Sequence, residues 1–188
     1  LNIDLNSFTS PDGFSSSVGL LVLMSLITLA PFFLMVTTSF LRIVVVFSLL
    51  RQALATQQSP PNGALIGLAI FMTIFIMTPS INKVIDTSVK PYQEGVITQK
   101  EALANAAAPF REFMLKFASE NDLALFLEFS KIQYTSNYDE IPIFVIIPAF
   151  VLSELKAAFQ ISFLLFIPFL VIDLIISNVL LSLGMMML

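Results

Sequence analysis

The sequence predicts an all-α membrane protein, and three observations predict it. Apolar residues make up 57% of the 188 positions and mean hydropathy is +0.91, whereas ordinary soluble domains hold roughly 45–50% apolar residues. Charged residues are only 12%, about half the usual share. Every regular pattern has helical period, and no alternation of the strand kind is sustained. The expected architecture is a set of apolar helical hairpins with an amphipathic helical insert, forming a single domain over residues 1–188.

Composition also excludes chemistry. The chain has no cysteine and no histidine. Disulfides, thiol nucleophiles, zinc sites built on those residues and the usual near-neutral proton switch are therefore absent. A net charge of −4 argues against nucleic acid as a partner. No G-x-S-x-G, H-E-x-x-H, P-loop or dinucleotide fingerprint occurs. No catalytic residue, cofactor site or metal site is expected.

Residues 1–17 are polar and turn-rich and read as an extended leader. Residues 18–82 hold apolar helices. The uncharged run Val18 to Leu41 is long enough to cross a bilayer, with Pro31 expected to kink or divide it. Arg42 and Arg51 follow, nine positions apart, so on one helix they occupy opposite faces. Either protein surrounds that helix or its end reaches water. The turn near 56–63, TQQSPPNG, offers Ser59 as a cap with Pro60 or Pro61 in the next first turn. Leu65 to Pro79 is a second apolar helix.

Residues 83–140 differ in kind, holding 15 of the 22 charged residues, six basic and nine acidic. Thr98 to Glu101 fits a capping box. Phe110, Phe113, Met114 and Phe117 recur at helical spacing, and a short helix is expected from Asp122 to Ser130 with Leu123, Phe126 and Leu127 on one face. Such a stripe packs on the rest of the protein more often than it forms a binding groove. The only basic connection follows Arg42 and Arg51, which places that turn in the cytoplasm and the acidic insert outside it.

Residues 141–188 return to apolar sequence, and Pro148 and Pro168 bracket an expected helix of about twenty residues. Within it stand Glu154 and Lys156, and beyond it Asp173. A charge at membrane depth costs about 2.5–3.5 kcal/mol on insertion scales, so such residues face protein or a water-filled path. Glu154 and Lys156 are two apart and point to nearly opposite sides, so each needs a partner from another helix or another chain. Arg42, Arg51, Glu154, Lys156 and Asp173 are thus the candidates for charge contacts between helices or subunits. The stretch from Ile141 to Ser153 is too short to span before Glu154, so some apolar helices are expected to pack in protein without crossing lipid. An ion-coupled transporter subunit fits buried acids and broken helices too, and a membrane enzyme fits less well.

The stretch Pro148 to Ile161, PAFVLSELKAAFQI, resembles the signature of the flagellar biosynthesis protein FliP family, which includes the export-gate subunits of virulence type III secretion. FLRI at 40–43, RQALATQQSPPN at 51–62, LALFLE at 123–128 and FIPFLVID at 166–173 match as well. The wording of 51–62 is closer to the flagellar branch. Ser162 stands where the family has glycine, and relatives continue beyond Leu188. The resemblance implies a pore-forming subunit of the export gate in the bacterial inner membrane, within the flagellar basal body. It implies a pentamer of FliP copies with FliQ-like and FliR-like subunits, export components like FlhA and FlhB, and unfolded proteins as cargo. It also implies that Met185, Met186 and Met187 belong to a methionine-rich gasket around the pore. Three consecutive methionines would spread over about 200° of a helix, too wide for one buried face, and they follow Gly184, where a helix is expected to end.

Overall fold

A computed structural model describes residues 11–56, 59–131 and 141–184. Those residues are helical throughout, joined by turns: α1 (Pro11–Thr37), α2 (Phe40–Ala53), α3 (Asn62–Val84), a π-helical turn (Ile85–Val89), α4 (Lys90–Gln93), α5 (Gln99–Phe117), α6 (Glu120–Ser130) and α7 (Ile143–Ser182). The chain divides into two units at Met35.

The first unit is the body of α1. Its hydroxyls turn back onto its own backbone, Ser25 Oγ donating to Leu21 O and Thr28 Oγ1 to Met24 O, each at 2.8 Å. That is how a polar side chain is satisfied on a helix apolar on all sides. Pro31 lies inside α1 and does not divide it. The break comes later, at Thr38 and Ser39, where the hydroxyl of Thr38 accepts the N–H of Phe40 at 3.4 Å. The hydroxyl offers the backbone an alternative to the helical ladder, which proline alone does not.

The second unit, from Val36 onward, is built on α7. Two of its helices are long and apolar enough to cross a membrane: the continuous stretch Asn62–Gln93 and α7 itself. α7 has 40 residues, about 60 Å at 1.5 Å per residue, twice the ~30 Å hydrocarbon core. The sequence-based bracket of Pro148 and Pro168 fails, since both lie inside α7. Each proline removes one N–H from the ladder, a loss that neighbouring helices and side chains accommodate in apolar surroundings.

The two halves of α7 have different surroundings. Up to Gln160 it is packed: Val145, Ile146, Ala149, Phe150, Ser153, Glu154 and Ala158 are buried. From Ile161 to Ser182 almost every residue is exposed, Ser162 being buried and Phe169 and Leu180 half-buried. The exposed half is about 33 Å long and is the length a bilayer requires. The charges Glu154 and Lys156 thus lie in the half that packs against protein, which resolves the misfit of a short apolar run before Glu154.

The core gathers where the insert meets that packed half. Met77 of α3, Phe113 and Met114 of α5, Leu127 of α6, Ile141, and Val145, Ile146 and Phe150 of α7 form one buried cluster. Phe113 stacks edge-on against Phe150 at 5.9 Å and lies 4.8 Å from Phe117. Fully burying each large side chain contributes about 1.5–3 kcal/mol. The aromatic stripe of α5 therefore serves packing.

Local signals set the helix ends. Thr98 Oγ1 accepts the N–H of Glu101 at 3.4 Å while the Glu101 carboxylate accepts the N–H of Thr98 at 2.8 Å, the reciprocal capping box expected. Those bonds from Thr98 hold the exposed Glu101 carboxyl below the usual carboxylate range. α3 does not start as anticipated: its cap is Pro61 rather than Ser59. Nor does the helix stop at Pro79; α3 runs on to Val84 and continues through the π-helical turn, where Ser88 Oγ donates to Ala102 O at 2.6 Å and ties that turn to α5.

Candidate functional site

Arg42, Glu154 and Lys156 meet at the middle of α7, opposite the junction between α5 and α6. Glu154 is 1% exposed and receives a charge-assisted hydrogen bond from Arg42 Nη2. Arg42 sits in the first turn of α2, 112 positions away. Its guanidinium also lies over the ring of Phe117, 5.4 Å from the centroid. A single arginine thus touches three elements, α2, α5 and α7. A planar, weakly hydrated guanidinium suits this place, because it can stack and hydrogen-bond at once.

Lys156 leaves the other side of α7 and reaches Asp122 of α6. Asp122 is 2% exposed, Lys156 is 56% exposed. The ammonium keeps contact with solvent while its partner is buried, as a long amphipathic side chain allows. Between the two acids stands Ser153, whose Oγ donates to Asp122 Oδ2 at 2.7 Å and accepts the N–H of Ser119 at 2.8 Å. Burial pushes the Asp122 carboxyl up, but the bonds from Lys156 and Ser153 outweigh it and hold it below the usual range.

The remaining expected residues lie elsewhere. Arg51 Nη1 donates to Asn62 Oδ1 at 2.6 Å and to Pro60 O at 3.3 Å, so it braces the turn between α2 and α3. Asp173 is exposed on the outer half of α7, and no hydrogen bond or ion pair ties it to the described residues. Met185, Met186 and Met187 lie outside the described residues. Gly184, just before them, adopts φ +76°, the left-handed conformation in which glycine terminates a helix without strain.

Sequence reasoning missed Phe117, Ser119, Asp122 and Ser153 as members of this constellation. A signal for Asp122 existed. It stands four before Phe126 and one before Leu123, so an acid occupies the apolar face of a short helix, and a buried acid demands a cation.

The arrangement is a girdle of paired charges, joined at Asp122 by the Ser153 hydroxyl. It holds α2 and α6 to α7 by directional bonds where apolar contact alone is indifferent to register. The model of the FliP family matches residues 23–188. The chain belongs to the FliP family. The flagellar biosynthetic protein FliP of Bacillus subtilis strain 168 is 45% identical over 186 residues, covering 99% of this chain and 84% of the relative. FliP of Pectobacterium carotovorum is 48% identical over 91% of this chain and 66% of its own length. FliP of Caulobacter vibrioides is 50% identical over 91% of this chain and 64% of its own length. As a FliP-family protein the chain is a component of flagellar biosynthesis, and its long apolar helices fit a membrane location.

Proposed function

We propose that this chain is a pore-forming subunit of the flagellar type III protein export gate in the bacterial inner membrane, through which unfolded flagellar proteins pass. The observation that carries the proposal is the division of α7. Its inner half is held by three helices of the same chain, while its outer half, Ile161 to Ser182, is exposed on nearly every side and bears Asp173. An acid on such a helix calls for a partner that this chain does not supply among its described residues. Further FliP copies, arranged as a pentamer, with FliQ-like and FliR-like subunits, would cover that half. FlhA-like and FlhB-like export components would meet the assembly at the cytoplasmic side.

In this reading residues 83–140 lie on the periplasmic side, and Met185, Met186 and Met187 form the gasket. Flexible thioethers from several copies can close a pore without strong bonds and part for a chain of any sequence. An apolar constriction of this kind holds ions back by excluding water. The test replaces all three methionines by alanine in the full-length protein. The assembly should form at wild-type yield, and cells should gain small-ion conductance. An assembly that forms normally and stays as tight as wild type overturns the gasket role.

A further inference from the structure

α3 changes character at Pro79. Before it the helix is apolar, and Met72 and Ile76, four apart, are exposed on one face at 39% and 38%. Ser80 and Lys83 continue the same stripe at the next two turns. α5 lies alongside there, and the two helices enclose an open cavity of about 180 Å³ lined by Pro79, Ser80, Lys83, Glu112 and Lys116, with Phe113 and Phe117 among the apolar walls.

The charges in this cavity do not cancel. Lys83 Nζ gives two hydrogen bonds to Glu112, at 2.8 and 2.7 Å. An ammonium has three donors, so one remains. Lys116 Nζ lies 5.6 Å from the centroid of Phe117, and no carboxylate among the described residues pairs with it. One carboxylate and two ammonium groups leave a surplus of one positive charge. The Ser80 hydroxyl adds a neutral donor. Donors of this kind, one surplus charge and an exposed apolar stripe leading away from them match a singly charged phosphodiester carrying acyl chains. A free phosphate would need no stripe, and an acidic peptide would need a polar one.

We propose that this cavity binds the phosphodiester of an anionic glycerophospholipid of the membrane. Lys116, the third N–H of Lys83 and the Ser80 hydroxyl hold the phosphate, and an acyl chain runs along Ile76 and Met72. The site would fix the depth of α3 at the point where the helix leaves the hydrocarbon, since a headgroup marks that boundary. The inference rests on α3 crossing the membrane and not on the export reading.

The test uses the full-length protein, purified with the membrane proteins that accompany it, in mild detergent. Phosphatidylglycerol or phosphatidylcholine is titrated in, and retained lipid is counted by native mass spectrometry. Phosphatidylglycerol should be retained in preference. Lys116→Gln should weaken its retention about fivefold, the equivalent of one lysine at a membrane surface. Lys116→Arg should retain it, and Lys100→Gln, on the exposed start of α5, should not alter it. Equal retention of the two lipids, or unchanged retention in Lys116→Gln, overturns the proposal. Displacement of the lipid by millimolar inorganic phosphate would assign the cavity to free phosphate and overturn it too. A protein that passes the leak test above yet retains no phosphatidylglycerol overturns this site alone.

Discussion

Ser153 of α7 caps the start of α6: its Oγ accepts the N–H of Ser119 at 2.8 Å and donates to Asp122 at 2.7 Å. Ser119 makes no side-chain cap of its own. A helix normally satisfies its first N–H groups locally; here a residue 34 positions downstream contributes. Lys156 then neutralises the acid. Lys156→Met leaves the buried carboxylate short of its cation and should cost about 1.5–3 kcal/mol, the worth of a hydrogen bond to a charged group. Asp122→Asn together with Lys156→Met should recover most of that loss, because the neutral amide can still accept from Ser153. Amide hydrogen exchange in α6 reads both. Equal protection in the single and double variants would refute the coupling.

The same pair sets a pH dependence. The folded Asp122 carboxyl sits below its ordinary value of 3.8. A lowered acid contributes stability that is present above the unfolded pKa and is lost as pH falls through the folded one. α6 protection should therefore be flat from pH 8 to about 5 and decline below about pH 4. Asp122→Asn should flatten the acid limb of the curve. A decline beginning near neutrality would contradict this assignment.

How much of this was legible depends on how far each signal reaches along the chain. The capping box of Thr98 and Glu101 was readable because both groups lie within one turn. So was the demand that Glu154 and Lys156 turn to different neighbours, since two residues fix an angle of ~200°. The neighbours themselves were not readable. Arg42 is 112 positions from Glu154, and Asp122 was one of nine acids in a charged insert. Proline misled for a related reason. Its cost is local, and packing around α7 overrides it at Pro148, while Pro168 lies where apolar surroundings favour unbroken helix.

Arg42 and Glu154 hold α2 to α7, and Glu154 is almost wholly buried. Removing one partner of a buried pair costs about 3–5 kcal/mol, because the other charge is left uncompensated. Arg42→Ala should be the worse change at that site, since it also strips one of two cations from Phe117. Arg42→Lys should recover only part, having no planar fork to stack and bond together. Proteolysis of the detergent-solubilised chain between α2 and α3 measures it. Wild-type resistance in Arg42→Ala would show that the pair does not hold α2.

The charge pattern predicts sidedness. The only basic connection follows Arg42 and Arg51, and Arg51 braces that turn through Asn62 and Pro60. Residues 83–140 are acidic on balance. With the basic turn in the cytoplasm, Gln99→Cys should react with an impermeant thiol reagent in cells whose outer membrane alone is permeable, and Ser59→Cys should not. The chain has no cysteine to confuse the readout. The reverse labelling pattern would invert the topology.

Asp173 separates contacts within the chain from contacts beyond it. Glu154 already has its cation on α2, whereas Asp173 stands exposed on the outer half of α7 without an ion pair among the described residues. If neighbouring subunits provide the missing partner, Asp173→Asn should leave the isolated chain as protease-resistant as wild type. The same change should lower the yield of the assembled complex, because the partner's cation is then stranded in an apolar setting. Glu154→Gln should do the opposite in order: the chain itself loosens first, and assembly suffers as a consequence. The measurement is paired, with limited proteolysis of the single chain beside complex yield in native electrophoresis. A fall in both readouts for Asp173→Asn would place its partner inside this chain. An unchanged yield would show that the outer half of α7 meets its neighbours, or lipid, without using that carboxylate.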